Sequence, residues 1–276
     1  MSQSSQRILI TGGASGLGRA MAEAWARDGA RVLIGDVNEE RGRETEQALS
    51  ALPGTVEFQY LDVRDPASFN QAREWLEQHW GGLDVLVNNA GVAAAARIDR
   101  GDMADWDWIF DINVKGPVRG CKVFVPMMKR QGHGHIVNVA SLAGLVNAPA
   151  MASYNVTKSG VISLSETLRN ELSIHNIHCT VVCPGFFRTN LHESVRSPEP
   201  GMVEMVDKLL SSDELTAEQI AGMVKQAVAR QQFLLIPHKS ARRAWFIKRF
   251  VPALFRRVMR DSASRMERQL KKAESS

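Results

Sequence analysis

Apolar and polar residues alternate in blocks along the first 90 positions of the chain. Short apolar runs have the length of β-strands, and the amphipathic segments between them have the spacing of helices. The predicted strands are residues 7–11, 31–35, 55–61 and 83–87, and the predicted helices are residues 16–29, 38–51 and 66–80. Strands this apolar are buried on both faces, which is typical of parallel sheets. The pattern predicts an α/β fold with a doubly wound parallel sheet and helices on both faces.

The pattern continues as a single domain over residues 1–237. A helix over residues 216–231 and a strand over residues 232–236 are predicted to close it, and no linker interrupts it before residue 190. Residues 238–276 continue beyond this domain as an amphipathic helical extension.

A glycine-rich segment, TGGASGLG at residues 11–18, follows the first predicted strand. Glycine allows the backbone to turn sharply and to approach a pyrophosphate, and the next helix offers its N-terminal amides to the negative charge. The spacing is TGxxxGxG, with Gly12, Gly16 and Gly18, and differs from the GxGxxG of the general dinucleotide fingerprint. The position of the segment after the first strand predicts a dinucleotide-binding turn. The alternative is a glycine-rich turn that only joins a strand to a helix.

Asp36 ends the second predicted strand, eighteen residues after Gly18. A carboxylate at this place can accept hydrogen bonds from both hydroxyls of an adenosine ribose, and it repels a 2′-phosphate. No Arg or Lys occupies Ser15 or Val37, where a cation could bind that phosphate. The sequence therefore favours NAD over NADP, although Asp36 could also cap the next helix.

Tyr154 and Lys158 stand four residues apart in a predicted helix, so both side chains leave the same face. A phenol has a pKa near ~10, which is too high for proton transfer at neutral pH. A nearby ammonium favours the phenolate and lowers that pKa. The pair is a candidate acid–base centre, and a solvated helical pair is the alternative.

Together these motifs resemble those of the short-chain dehydrogenase/reductase family, and the resemblance covers residues 6–236. Further family motifs follow in the family's order: Leu61-Asp62-Val63, Asn88-Asn89-Ala90-Gly91, Asn113, Ser141 thirteen residues before Tyr154, and Pro184-Gly185 with Thr189. Each motif alone is weak, whereas the ordered set is specific.

The resemblance implies hydride transfer between NAD(H) and a secondary alcohol or carbonyl. Tyr154 would exchange a proton with the substrate oxygen, and Ser141 would hydrogen-bond that oxygen. Lys158 would hold the ribose hydroxyls and, with the nicotinamide charge, lower the pKa of Tyr154. Asn113 would hold a water that links Lys158 to solvent. The implied cofactor-binding residues are Gly12, Ser15, Gly16, Leu17, Gly18, Asp36, Asp62, Val63, Asn89, Ala90, Gly91, Tyr154, Lys158, Pro184, Gly185, Phe187 and Thr189.

Residues 186–215 are expected to form a substrate lid, a loop with a short amphipathic helix. The candidate substrate-lining residues are Ala93, Leu142, Ala143, Val146, Asn147 and Phe186. Since all but Asn147 are apolar, a lipid-, steroid- or terpenoid-like alcohol or ketone is favoured over a sugar or a hydroxy acid. Alternatively these residues mostly pack in the core, because ligand pockets are apolar in general.

Charge is distributed unevenly along the chain. Residues 237–276 hold twelve Lys/Arg and three Asp/Glu, whereas the rest of the chain holds 22 basic and 27 acidic residues. In this basic extension the apolar residues Phe246, Phe250, Leu254 and Val258 recur every four positions, and Arg242, Arg249 and Arg256 recur every seven. This pattern fits an interfacial membrane helix, and it fits equally packing on the lid, on the body or on another subunit. The acidic body makes nucleic acid an unlikely partner, and the residues from Arg260 onward are expected to be solvated and frayed.

Composition narrows the remaining possibilities. Three cysteines without a His/Cys cluster predict reduced structural thiols and no metal site. Without a run of 18 apolar residues or a leader-like stretch, a cytoplasmic protein is expected, peripheral at the membrane if the extension binds lipid. The family resemblance implies a homodimer or homotetramer built on helices around residues 103–130 and 153–176. The alternatives to the NAD-dependent enzyme are an NADPH-dependent carbonyl reductase and a non-catalytic nucleotide-binding or membrane-associated protein.

Overall fold

A single parallel sheet of seven strands organises the chain. The computed structural model describes residues 5–188, 190–204 and 215–274. The strands are β1 (Arg7–Thr11), β2 (Arg31–Asp36), β3 (Thr55–Tyr60), β4 (Val85–Asn88), β5 (Gly134–Val139), β6 (Ile177–Val182) and β7 (Leu234–Leu235). Their order is β3-β2-β1-β4-β5-β6-β7. The chain therefore runs from β1 outward to β3 and then continues with β4 on the other side of β1. Ligands of doubly wound sheets bind at that switch point, outside the carboxyl ends of the strands.

The helices that cover the sheet start and stop at recognisable signals. They are α1 (Gly16–Ala26), α2 (Glu39–Leu49), α3 (Pro66–Trp80), α4 (Met103–Phe110), α5 (Gly116–Gln131), α6 (Ala143–Val146), α7 (Ala152–Leu172), α8 (Ala217–Ala229), α9 (Lys239–Phe250) and α10 (Pro252–Glu274). Asp65 caps α3 by accepting a hydrogen bond from the Ala67 amide, and Gly81 ends that helix in the left-handed conformation. Thr216 and Gln219 form a reciprocal capping box that starts α8.

The core lies on both faces of the sheet because successive strand residues point to opposite sides. In β1, Ile8 and Ile10 pack with Trp25 of α1 and Val224 of α8. Leu9, between them, belongs to the opposite layer, which α3, α5 and α7 cover with Phe69, Phe124 and Leu168. The predicted α/β class with helices on both faces is confirmed.

Several predicted boundaries are wrong by one to three residues. Helix α1 ends at Ala26, before the predicted residue 29, because Gly29 turns the chain with a φ of +85°. Strand β4 starts at Val85 and not at residue 83. The Leu83 amide donates instead to the side-chain oxygen of Gln131, 2.9 Å away, before the strand ladder begins.

The extension after β7 is more ordered than predicted. Pro252 starts α10, which continues to Glu274, so the expected fraying from Arg260 onward is wrong. Leu270 is buried and packs with Met266 in one cluster with Met202, Leu191 and Val195. Because Met202, Leu191 and Val195 belong to the predicted lid, the extension packs on the lid.

The lid itself is partly described. Residues Asn190–Ser194 form a 3₁₀-helix, and Arg196 forms an isolated parallel bridge with Ala94. Thr189 and residues 205–214, on which part of the predicted lid falls, lie outside the described residues. Among the helices of the described ranges, none combines the length and the apolar character needed to cross a membrane.

Candidate active site

The glycine-rich turn lies directly against the end of β4. Gly12 has a φ of +63°, and a Cβ on it would lie 2.9 Å from the Ala90 Cα, so only glycine fits. The Asn89 side-chain amide donates to the carbonyl oxygens of Thr11 and Gly12, each 3.0 Å away. The sequence segments around residues 12 and 89 therefore form one wall.

Asp36, at the end of β2, borders the same cavity. Its carboxylate accepts hydrogen bonds from the amides of Ala14 and Asn38, each at 3.1 Å. Arg41 also lines the cavity, and its guanidinium is paired with Glu193 of the lid at 3.0 Å. The described rim near Asp36 therefore contains both an acid and a cation whose charge is neutralised by the lid.

A line of buried amides fixes α7 to the central strands. The Asn88 side chain donates to the Asn138 oxygen at 2.9 Å, and the Asn138 amide donates to the Ser165 hydroxyl at 2.9 Å. All three residues are buried. Because these bonds join β4, β5 and α7, they hold the helix that carries Tyr154 at a fixed height above the sheet.

Tyr154, Lys158 and Ser141 come together at the carboxyl end of β5. Tyr154 and Lys158 lie one turn apart near the start of α7, and both are buried. The Lys158 Nζ donates to the Val139 carbonyl at 3.0 Å and lies 5.7 Å from the centroid of the Tyr154 ring. Ser141, two residues beyond β5, accepts a hydrogen bond at Oγ from the Ala143 amide at 3.1 Å and lies close enough to Tyr154 to lower the pKa of the phenol.

Asn113 lies in a π-helical turn, Asp111–Lys115, between α4 and α5. Its side-chain oxygen accepts from the Val92 amide at 2.9 Å, and its amide donates to the Val92 carbonyl at 2.9 Å and to Thr157 at 3.3 Å. A Cβ on Gly91 would lie 3.2 Å from both Asn113 Oδ1 and Lys158 Nζ. The widened turn thus places an amide oxygen beside the buried ammonium, as π-bulges do at functional sites.

Burial alters the proton affinities at this end of the cavity. It raises the pKa of Tyr154, and the nearby Ser141 hydroxyl lowers that pKa in part. Burial lowers the pKa of Lys158 to about 8, and the nearby Cys183 thiol opposes this shift. The polypeptide by itself therefore keeps the phenol protonated, contrary to the lowering predicted from the ammonium alone.

One cavity of about 600 Å³ connects these groups. Most of the predicted site residues line it: Gly12, Ser15, Gly16, Leu17, Asp36, Asp62, Val63, Asn89, Ala90, Gly91, Ala93, Ser141, Leu142, Ala143, Val146, Tyr154, Lys158, Pro184, Gly185, Phe186 and Phe187. Asn113 lies behind this lining, where it contacts Val92 and Thr157. The cavity runs from the acidic end of β2 to the phenol of α7.

Comparison with known proteins agrees with this geometry. The family model described as short chain dehydrogenase matches residues 6–200. The chain belongs to the short-chain dehydrogenase/reductase family. As a member of this family it is an oxidoreductase that binds a nicotinamide dinucleotide.

Similar members of the short-chain dehydrogenase/reductase family have several named activities. A 3-oxoacyl-[acyl-carrier-protein] reductase of Thermotoga maritima is 35% identical over 231 residues, covering 78% of this chain and 93% of that protein. A 3-alpha-(or 20-beta)-hydroxysteroid dehydrogenase of Mycobacterium tuberculosis is 32% identical over 216 residues, covering 75% of this chain and 82% of that protein. A family member from Burkholderia phymatum, solved in complex with NAD, superposes with a TM-score of 0.86 at 29% identity, covering 92% and 96% of the two chains.

The shape of the short-chain dehydrogenase/reductase site fits a dinucleotide. Gly12 leaves the backbone of the turn open to a pyrophosphate, since no side chain projects from it. Asp36 lies where a ribose would end, and Lys158 and Tyr154 lie where the other half of the cofactor would end. The residues that would hold the cofactor are therefore present on one continuous wall.

Two predicted site residues have other positions. Asn147, predicted to line the substrate pocket, does not line the cavity, because its exposed side chain accepts a hydrogen bond from Lys248. Gly18, predicted to bind cofactor, does not line it either. A Cβ on Gly18 would lie only 2.0 Å from the Gly12 carbonyl oxygen, so this glycine allows α1 to pack on the turn. Thr189 lies outside the described residues.

The motif reasoning missed four residues that shape the site. Trp108 and Met151 line the cavity, and Arg41 borders it near Asp36. His238, the residue just before α9, accepts a hydrogen bond at Nδ1 from the Gly185 amide at 3.0 Å. An amphipathic pattern places Trp108 and Met151 only on a helix or a loop, and nothing local in the sequence pairs residue 238 with residue 185.

Proposed function

We propose that this enzyme interconverts an apolar secondary alcohol and the corresponding ketone with NAD(H). The observation that supports this most directly is the convergence of Tyr154, Ser141 and Lys158 at one end of a cavity whose other end holds Asp36. A phenol, a hydroxyl and an ammonium suit a substrate oxygen that gains or loses a proton. When bound, NAD(H) supplies the hydride acceptor or donor.

Each polar side chain has a defined task in this proposal. Tyr154 receives the hydroxyl proton when the alcohol is oxidised and returns it when the ketone is reduced. Ser141 holds the substrate oxygen, and its hydroxyl lowers the pKa of the nearby phenol, which favours the phenolate. Lys158 carries the positive charge beside Tyr154 and binds ribose hydroxyls, and Asn113, through the distorted backbone of its π-helical turn, holds a water that links Lys158 to solvent.

Burial raises the pKa of Tyr154, so the phenol needs more positive charge than Lys158 alone provides. The burial that lowers the pKa of Lys158 to about 8 leaves most of this lysine protonated at neutral pH. An oxidised nicotinamide would add a second positive charge near the phenol. We therefore expect the pKa of Tyr154 to fall when NAD⁺ binds, and a difference titration at tyrosinate absorbance measures that change.

Asp36 supports NAD as the cofactor. Its carboxylate is fixed by two backbone amides and lies on the cavity wall, where it can accept from ribose hydroxyls and repel a 2′-phosphate. Fluorescence titration with NADH and NADPH tests this, with tighter NADH binding expected. In Asp36→Ala the preference for NADH should shrink by at least tenfold, whereas tighter NADPH binding by the unaltered enzyme would refute the reasoning.

The position of Arg41 favours a second candidate function, that of an NADPH-dependent carbonyl reductase. Its guanidinium lies on the cavity rim, and guanidinium groups bind phosphates well. Its charge is engaged by Glu193, so a phosphate would have to displace a carboxylate. Glu193→Gln releases Arg41 while leaving Asp36 unchanged. If this variant gains NADPH affinity without losing NADH affinity, Arg41 can serve the phosphate.

The cavity walls support an apolar substrate. Around the phenol, the walls consist mainly of Val92, Ala93, Trp108, Leu142, Val146, Met151 and Leu191. Burying apolar surface against them contributes about 25 cal/mol per Å², whereas a sugar would leave hydroxyls without partners. Among similar proteins, one is named a hydroxysteroid dehydrogenase and another an oxoacyl reductase. We expect steroid or long-chain ketones to be better substrates than sugars.

The decisive experiment combines turnover with cofactor binding. Tyr154→Phe should reduce turnover of a ketone panel, followed at the NADH absorbance, by more than a hundredfold, while the affinity for NADH stays within about threefold. Val156→Ala is a matched control, because Val156 lies on the same helix with an exposed side chain. Turnover that persists in Tyr154→Phe would refute the assignment, and absent turnover in the unaltered enzyme with normal NADH binding would favour a nucleotide-binding protein.

A further inference from the structure

Helices α9 and α10 present an apolar surface to solvent. Five large apolar side chains on it are between 43% and 60% exposed: Phe246, Phe250, Val251, Leu254 and Val258. They lie on both sides of the junction between the two helices at Pro252. Phe246 and Phe250 stack with ring centroids 4.7 Å apart. These five residues and the arginines beside them are called the aromatic–basic face below.

The opposite side of the two helices is fixed to the body of the protein. Ala241 is buried, and Trp245 packs with Leu142 and Leu145 around α6. Lys248 Nζ donates to the Leu145 carbonyl at 2.6 Å. At the far end of α10, Leu270 packs against the lid. With the inner side used in this way, the exposed apolar residues cannot turn inward without breaking these contacts.

The aromatic–basic face is strongly cationic. Its exposed arginines are Arg242, Arg243, Arg249 and Arg257, while the exposed Arg256 lies on the opposite side of α10 from Leu254 and Val258. The described part of the chain provides no ion pair for any of them. Arg249 lies over the rings of Trp245 and Phe250, at 5.8 and 5.9 Å from their centroids. Guanidinium groups therefore stand among exposed aromatic rings, with their charge unneutralised.

We propose that the aromatic–basic face docks on an anionic lipid bilayer. Helices that lie in a membrane interface combine Phe, Trp and Leu with Lys and Arg, and they insert the apolar side chains at the level of the headgroups. Each cation near an anionic leaflet adds to the attraction. Both components are present here on helices that are already formed and packed on the body, so less ordering entropy opposes binding than for a segment that must first fold.

A second copy of the chain fits the same face less well. A twofold dimer places a patch against itself, so the arginines of one copy would meet the arginines of the other. The excess of acidic residues that could pair with these arginines lies in the body of the protein, with 27 Asp/Glu against 22 Lys/Arg outside residues 237–276, and not on this face. A nucleic acid would use the arginines, but it leaves the aliphatic residues Val251, Leu254 and Val258 without an apolar partner.

The position of the face also gives docking a consequence. Helix α9 packs on α6, and Leu142, Ala143 and Val146 around α6 line the cavity. Docking would bring the apolar end of the cavity close to the bilayer. The binding itself does not depend on catalysis, so the experiment below uses no activity measurement and its result is independent of the proposed function.

The test is flotation of the full-length protein with liposomes, using neutral phosphatidylcholine vesicles and vesicles that contain phosphatidylglycerol. Point variants replace truncation, because removing α10 would also remove contacts to the lid. Phe246→Ser/Phe250→Ser removes apolar area, and Arg242→Gln/Arg243→Gln removes charge. The matched controls are Ile98→Ser/Ile174→Ser, two apolar residues with 73% and 83% exposure elsewhere, and Arg31→Gln/Arg230→Gln, two exposed arginines elsewhere.

We expect the unaltered protein and both controls to float with anionic vesicles and much less with neutral ones, and flotation to weaken as salt rises. The double arginine variant should bind about 30-fold more weakly, and the double phenylalanine variant should lose binding at all salt concentrations. Circular dichroism confirms that each variant is folded. The proposal is overturned if the unaltered protein stays at the bottom, if the variants float like their controls, or if Phe246→Ser/Phe250→Ser dissociates an oligomer in light scattering.

Discussion

Substituting alanine for Gly18 tests whether the cofactor turn depends on direct contact between α1 and the backbone of the turn. A Cβ on Gly18 would lie 2.0 Å from the Gly12 carbonyl oxygen and 2.9 Å from the Gly12 carbonyl carbon. Gly222 of α8 provides a matched control, because it is also helical and nothing lies within 4 Å of its Cβ position. The same substitution therefore meets backbone at one site and open space at the other.

The expected effects have opposite signs. At Gly18, real contacts below 3.0 Å are essentially never seen, so α1 and the turn must separate by at least about 1 Å. Overpacking of a tight contact costs about 3 kcal/mol. At Gly222, alanine favours the helix by about 1 kcal/mol. The two variants should thus differ by about 4 kcal/mol in free energy of unfolding, or roughly 10 °C in melting temperature for a chain of this size.

Urea denaturation gives both free energies, and NADH fluorescence titration shows whether the turn has moved. Gly18→Ala should unfold at lower urea and bind NADH at least tenfold more weakly, while Gly222→Ala should be stabilised and bind NADH normally. An unchanged unfolding midpoint in Gly18→Ala would show that α1 can shift freely, which refutes the contact argument. A stable Gly18→Ala that binds no NADH would instead place the glycine against the cofactor, as the sequence had predicted.

Three further predictions concern buried polar residues. Burial lowers the pKa of His135 to about 4, so between pH 6.5 and 4 the unfolded chain binds a proton that the folded chain does not. The free energy of unfolding should therefore fall by about 3 kcal/mol as the pH drops through this window. Urea titrations at pH 7 and 4.5 measure this change, and His135→Gln should lack it. Glu199 is buried and accepts hydrogen bonds from the Arg97 amide and guanidinium at 2.6 and 2.9 Å. Glu199→Gln should lower the free energy of unfolding by about 2 kcal/mol and raise KM several-fold, while kcat stays nearly constant. An unchanged KM would show that this ion pair does not act on the lid. His238→Ala leaves the Gly185 amide without its acceptor and should weaken NADH binding about tenfold, whereas His238→Asn should restore part of it, a rescue that loss of packing alone would not give.

Local rules were sufficient to bring most residues predicted to bind the cofactor to one edge of the sheet. The turn around Gly12 and the carboxylate of Asp36 follow directly from strands, since each motif lies within a few residues of a strand end. In a parallel sheet those ends share one edge, so short motifs far apart in sequence meet in space. The same logic places Ser141 at the end of β5 and Tyr154 on the next long helix.

The substrate half could be predicted only in outline. Its walls come from segments whose contacts are not periodic, such as the bridge between Ala94 and Arg196. The helical spacing in the extension indicated an amphipathic helix, but it did not indicate that Leu270 would return to the lid. The predicted position of Asn147 was wrong for a similar reason. Its exposed side chain accepts a hydrogen bond from Lys248, which lies 101 residues away in the sequence.

The bond between His238 and Gly185 makes the final helices part of the catalytic unit in a practical sense. The family model ends at residue 200, while the side chain that accepts from the Gly185 amide is contributed 38 residues later. Chimeras that exchange the extension for that of another family member would alter the backbone beside the cofactor, even with every motif residue retained. Likewise, variation in the extension can tune cofactor binding without any substitution in the motifs. The backbone at Gly185 therefore depends on a residue of the extension as well as on its own motif.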